Sequence, residues 1–274
     1  MIDVTSKDPK IDDIQESLFK LTTTDESRFV HEVLKIFRSQ HRKCRDDKEI
    51  LQEIQNYIRE NKYHEILLFL YIQEHRHNTN FHSLLAFMYY WGIGTSIDAK
   101  ESFFWYKTAA ENGDALGQNE LGACYGMGRG VKLNNDLAVY WYKKAAHSGS
   151  PMGQFNYGSC LASGDGTPTD WKAADYWLNK SAENGCSNAL DLLGYCYSAG
   201  KGARLKDERR GYLYFQRAAV AGHYGGHYNM AECHQNGTGV SKDLHQAIRF
   251  YRKSSDEGYI YAQYQLSCLF RIEY

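Results

Sequence analysis

The chain has 274 residues, and its 32 lysines and arginines nearly balance 33 aspartates and glutamates, for a formal net charge of −1. That balance, with a pI near 6.8, leaves no electrostatic footprint for nucleic acid or an anionic membrane. The longest apolar run, Ile66–Ile72, is far too short to span a bilayer, and seven cysteines fall below the density of a disulfide scaffold.

Residues 1–24 are polar, with Ile11, Ile14, Leu18 and Leu21 spaced for one weak helix. The opening MIDVTSKDPK has no apolar stretch before a small-residue cleavage site and no Arg-rich character, so a cytoplasmic location is expected. A cap of helices is expected over 25–78. Phe29, Val33, Ile36 and Phe37 form an apolar stripe on a helix over Arg28–Gln40. His41–Lys48 (HRKCRDDK) reads as a solvated linker. Lys48–Asn61 places Ile50, Leu51, Ile54, Tyr57 and Ile58 on one face, and Tyr63–Glu74 is apolar enough to dock against the residues beyond Thr79. A separate interaction or dimerisation module is the alternative for this segment.

From Thr79 onward the chain repeats. Units starting at Thr79, Ala115, Pro151, Ser187 and Tyr224 carry a glycine pair at fixed phase, such as Gly128/Gly130, and each closes on a glycine, such as Gly149. This gives five repeats, 79–114, 115–150, 151–186, 187–223 and 224–259, and then a half-repeat over 260–274. A period of this length means stacked supersecondary units. Within 115–150, Gly117, Leu121, Gly122 and Tyr125 fall on one helical face, and Gly128–Arg129–Gly130 break the helix. A second helix starts near Asn134, where other units carry Asp98, Asp170, Asp207 and Asp243 as N-caps. The eighth position is always small (Ala86, Gly122, Gly158, Gly194, Ala231), as close helix packing requires. The tenth holds Met88, Cys124, Cys160, Cys196, Cys233 and Leu269, which marks a site for a medium apolar side chain and predicts reduced, structural thiols.

Leu121, Gly122, Tyr125, Gly128, Gly130, Val131, Ala138, Trp141, Tyr142, Lys144, Ala145, Ala146 and Gly149 together resemble the Sel-1-like repeat, a relative of the tetratricopeptide repeat. The resemblance covers about 79–274 and is similar in wording to fungal repeat arrays. It implies an all-α, right-handed α/α solenoid acting as a non-catalytic protein-interaction scaffold or adaptor, in signalling among other settings. It also leaves open a secreted or host-directed interaction protein, or the cysteine-rich, penicillin-binding branch. Members of that branch pair cysteines between the helices of a unit, whereas the shared position here carries a single cysteine in four of the five units.

The remaining constellations read as structural. His223, His227 and His234 have helical metal-ligand spacing, but no glutamate follows His223 as a zinc-protease motif needs. His75, His77 and His82 read as loop-exposed. Ser17–Lys20 has the serine-acylase spacing without its companion motifs. Gly126–Gly130 lacks the ending of a phosphate loop. Asn179 and Asn236 begin sequons, which matter only for a secreted chain. No cofactor, metal or catalytic residue is expected. The partner is expected to be a protein or peptide, with no nucleic acid and no membrane insertion, and with dimerisation through the N-terminal helices or the half-repeat left open.

In related helical hairpins the first helix lines the concave face. Its outward positions here are Ser83, Phe87, Tyr90, Asn119, Phe155, Asp191, Tyr195, Ser198, Tyr228, Glu232, Gln235, Tyr261 and Tyr264. Aromatics on such a surface offer large contact area at low entropy cost. These positions are the expected partner-binding set, against the alternative that they fill gaps between repeats.

Overall fold

The computed structural model describes residues 23–44, 46–201 and 206–272. The weak helix proposed over 1–24, the Ser17–Lys20 tetrad, the side chain of Phe270 and all of Tyr274 lie outside them, apart from the start of the first helix. Among the described residues the chain is all-α, with fourteen helices and no strand. It divides into two compact units, one ending at Ser150 and the other starting at Pro151.

The first unit opens with α1 (Thr23–Arg42), α2 (Asp47–Glu60) and α3 (Glu65–Glu74). The apolar stripe of α1 is buried as its spacing demands. Phe29, Val30, Val33 and Phe37 join Ile50, Ile54 and Ile58 of α2 and Leu68 and Ile72 of α3 in one core. That core continues into α4 (His82–Trp91) through Leu84, Leu85, Phe87 and Met88. Each such side chain contributes about 1.5–3 kcal/mol on burial. The solvated linker is shorter than expected: α1 runs on to Arg42, Cys44 is buried and His41 half-buried at the corner leading into α2, while Arg42, Lys43, Asp46 and Lys48 are exposed.

The unit continues with α5 (Ala99–Glu111), α6 (Ala115–Met127) and α7 (Asn135–His147), which pair as the hairpins α4–α5 and α6–α7. The second unit holds α8 (Pro151–Ser163) with α9 (Trp171–Glu183), α10 (Ser187–Ala199) with α11 (Glu208–Val220), α12 (Tyr224–Asn236) with α13 (Leu244–Asp256), and α14 (Ile260–Ile272). The same capping device starts every second helix. Asp98, Asn134, Asp170, Asp207 and Asp243 each accept a backbone N–H from the first turn through the side chain. Each also donates its own N–H back to the first helix of its hairpin, to Tyr89, Tyr125, Leu161, Tyr197 and His234 respectively, at 2.8–2.9 Å. One residue thus satisfies a helix end and sets the hairpin closure.

The small eighth position has the expected steric cause. A Cβ on Gly122 would stand 2.6 Å from the Tyr142 ring, and one on Gly194 would stand 2.6 Å from Phe215. Cys124, Cys160, Cys196 and Cys233 are free thiols, and all but Cys160 are buried. Burial pushes the Cys124 and Cys233 thiols up to about 12, which keeps them protonated and unreactive near neutral pH.

Candidate partner-binding surface

The outward positions of the first helices differ between the two units. In the first unit Ser83, Phe87 and Asn119 are buried, Phe87 completely, so the expectation that they offer open contacts is corrected. Tyr90 is half-buried. The first N-terminal helix covers Phe87. The Phe37 ring lies 5.2 Å from Phe87, and the His41 imidazole 6.0 Å from it. Arg38 donates to the Asn80 side-chain oxygen at 3.1 Å.

Beneath the corner lies a polar cluster that the sequence pattern does not announce. Ser83 Oγ donates to the Asp114 carboxylate. Asn119 Nδ2 donates to Glu120 Oε1 at 2.8 Å. Burial, and then the negative charge of Asp47, push the Glu120 carboxyl well above the usual range. Burial likewise raises Asp47, against the pull of Arg129. His41 Nδ1 bonds the Phe37 carbonyl at 2.7 Å, and desolvation lowers its pKa to about 4. Arg129 lies over the Tyr90 ring, 4.9 Å from its centroid. One signal was available: Glu120 stands where the other units carry Leu84, Asn156, Leu192 and Asn229, so a carboxylate there needed a polar lid.

In the second unit the matching positions remain accessible. Phe155, Asp191, Tyr228, Glu232 and Gln235 are half-buried, and Ser198 is partly covered. Tyr195 is 48 % exposed, and Tyr261 and Tyr264 are each 65 % exposed. Hydrogen bonds hold the polar members in place. Asn229 Nδ2 donates to Asp191 Oδ1 at 2.6 Å, Tyr228 Oη to Glu232 Oε1 at 3.0 Å, and Tyr251 Oη to Gln235 Oε1 at 2.8 Å. The Tyr228 ring is braced by Tyr251 and Tyr259, with centroids 5.5 and 5.1 Å away. Lys201 Nζ sits 4.7 Å from the Tyr195 centroid, so an aromatic of this face already holds a cation. Burial, and then the charge of Glu232, raise the Tyr251 phenol and the Cys233 thiol. The face therefore combines aromatic rings with the carboxylates of Asp191 and Glu232.

The histidines at the start of α12 and within it diverge. His223 faces Asp191 at 3.5 Å, His227 pairs with Glu257 at 2.8 Å, and His234 bonds Tyr212 at 3.2 Å. Among the described residues no group of three His, Cys, Asp or Glu side chains is arranged to hold a metal ion. His82 is buried, with Nε2 2.9 Å from the Arg76 carbonyl, which corrects its reading as loop-exposed. Asn179 lies inside α9, donating to the Asp175 carbonyl and accepting from Tyr214, a poor position for a glycan.

The Sel1 repeat family model matches residues 82–114, 115–150, 151–186, 187–223 and 226–259. The structure is similar to a Sel1 repeat protein from Oxalobacter formigenes, at 28% identity and a TM-score of 0.72, covering 79% of this chain and 86% of that one. It is also similar to a protective antigen of uropathogenic Escherichia coli displaying an SLR fold, at 27% identity and a TM-score of 0.66, covering 85% of this chain and 50% of that one. The chain thus spans half the length of the second relative. No curated protein matches the chain significantly.

Proposed function

Because the chain belongs to the Sel1 repeat family, an α/α solenoid typical of protein-interaction scaffolds, we propose that it is a non-catalytic adaptor binding a partner segment on the first-helix face of residues 151–264. The observation that carries this reading is the exposure of Tyr195, Tyr261 and Tyr264 on a face whose polar residues are already fixed by hydrogen bonds. Ordered side chains lose little entropy on binding, so contact area converts well into affinity. Asp191 and Glu232 beside those rings favour a partner segment with lysine or arginine. The buried free thiols support a reducing compartment, in keeping with a cytoplasmic adaptor in signalling.

The test is affinity capture from source lysate with wild type and a Tyr195→Ala/Tyr228→Ala/Tyr264→Ala variant, both checked for helicity by circular dichroism. The reading requires partners that the folded variant loses. Partners retained by the variant would move the site to another surface or to an interface between copies.

A further inference from the structure

We propose that the groove between the ends of α5 and α7, within the first unit, binds a short acidic segment of a partner protein. The groove belongs to the second helices of the first two repeats. It is therefore a different surface from the first-helix face of the second unit, and it takes the opposite charge.

The groove has a volume of about 650 Å³, within the range of ligand sites, and its polar and aromatic lining comes from Gln118, Tyr140, Trp141, Lys143, Lys144 and Ser148. Tyr140 and Trp141 precede Lys144 by four and three residues, so helical spacing brings all three together. The two rings stand 5.2 Å apart at 82°, and Lys144 Nζ sits in the corner between them, 4.8 Å from each centroid. The rings thereby fix where this ammonium stands, and an ordered group loses less entropy on binding. Lys143 adds a second cation beside it. At the matching position of the first repeat, Lys107 is paired with Glu111, and the third and fourth repeats carry the uncharged Asn179 and Gln216.

Charge decides the class of ligand. Lys143 and Lys144 are exposed, and neither has a carboxylate within ion-pair distance among the described residues. Glu111, which also borders the groove, is held by Lys107 at 3.9 Å. The C-terminal ends of α5 and α7 each contribute about half a negative charge. Two whole positive charges outweigh them, so the groove is net positive in a chain whose overall charge is −1.

The floor favours a peptide over a free anion. Gln118 is only 6 % exposed, its Oε1 accepts from Ser148 Oγ at 2.8 Å, and its Nε2 donates to the Ala110 carbonyl at 3.4 Å. A primary amide offers two donor hydrogens and two lone pairs, so one of each remains. That pair matches the carbonyl and N–H of a main chain. The segment that fits sets carboxylates on Lys143 and Lys144, where charge-assisted hydrogen bonds are strong, and lays an apolar side chain on Tyr140, which is 48 % exposed.

The probes are fluorescein-labelled peptides in which one phenylalanine is moved through a short run of glutamates, with glutamine counterparts as controls. Anisotropy titrations use the full chain as wild type, Lys143→Gln/Lys144→Gln, Tyr140→Ala, and Lys132→Gln/Lys242→Gln. The last variant removes the same charge from exposed lysines outside the groove. At least one glutamate peptide should bind wild type, and its glutamine counterpart at least about tenfold more weakly. The groove double variant should lose at least about tenfold and Tyr140→Ala a measurable part, whereas the distant double variant stays within about twofold. No binding of any glutamate peptide to wild type, equal binding of glutamine peptides, or equal losses in both lysine variants would overturn the inference. If circular dichroism shows the groove double variant unfolded, Lys143→Gln alone decides, and undiminished affinity there would also overturn it. The Tyr195→Ala/Tyr228→Ala/Tyr264→Ala variant should bind the glutamate peptides as wild type does, so failure of one reading is separable from failure of the other.

Discussion

The Phe37 ring stands 5.2 Å from the Phe87 ring, and that contact places an N-terminal helix on a repeat position that carries the exposed Tyr195 and the half-buried Glu232 in later repeats. It accounts for the full burial of Phe87, and with His41 and Asp47 it brings ionisable groups under cover. The consequences can be measured.

Glu120→Gln should stabilise the protein near neutral pH. The folded-state pKa of Glu120 is raised from 4.5 to about 8 by burial and by Asp47. The stability tied to its protonated form is complete below 4.5 and is lost as pH rises through about 8. Glutamine mimics the protonated form and removes that loss. His41 acts in the opposite sense: its pKa is lowered to about 4, so its contribution is present above 6.5 and lost as pH falls through 4. The groups facing this site are Asp47, Tyr106, Asp114, Cys124 and Arg129. Urea unfolding at pH 7.5 should show the variant ahead by roughly 1–3 kcal/mol, with the gap closing toward pH 5. A gap independent of pH would contradict the assignment.

Thiol labelling should follow burial. In native protein, Ellman's reagent should react with the half-buried Cys160 and Cys268 well before the buried Cys124, Cys196 and Cys233. Rapid reaction of Cys124 or Cys233 would contradict the raised thiol pKa values.

Gly194→Ala should cost about 1–3 kcal/mol, because its Cβ would meet the Phe215 ring at 2.6 Å. Gains in intrinsic helix propensity from the alanine, about 1 kcal/mol, do not offset that overlap. Thermal unfolding of the purified variant checks it, and an unchanged midpoint would show that α10 and α11 can separate freely.

Asp243→Ala should cost about 1 kcal/mol through loss of its bond to the Gln246 N–H. Asn in its place should restore most of the loss, since Asn134 serves the same role in the second repeat. Chemical denaturation of both variants tests this.

The repeat itself was legible in the sequence because its cause is local. Asp98, Asp170, Asp207 and Asp243 cap because a short carboxylate reaches the next turn's N–H groups, and Gly122 and Gly194 are small because a facing ring demands it. What was not legible depends on contacts distant in sequence. HRKCRDDK is strongly polar and reads as linker, yet Cys44 is buried and His41 half-buried, with the His41 ring against Phe87 more than 40 residues away. The same contact removed Phe87 from the open surface, and Ser83 and Asn119 are buried beside Asp114 and Glu120, while Tyr195, Tyr261 and Tyr264 stayed exposed.

The central claim is that partners bind the open face of the second unit, with Tyr195, Tyr228 and Tyr264 as contacts and Asp191 and Glu232 as charge determinants. The most direct measurement is the affinity of a captured partner for wild type, for the triple tyrosine variant and for Asp191→Asn/Glu232→Gln, at low and high salt. The account predicts a loss of at least about tenfold in the tyrosine variant, and a smaller loss in the charge variant that vanishes as salt rises. Undiminished affinity in both folded variants would contradict it.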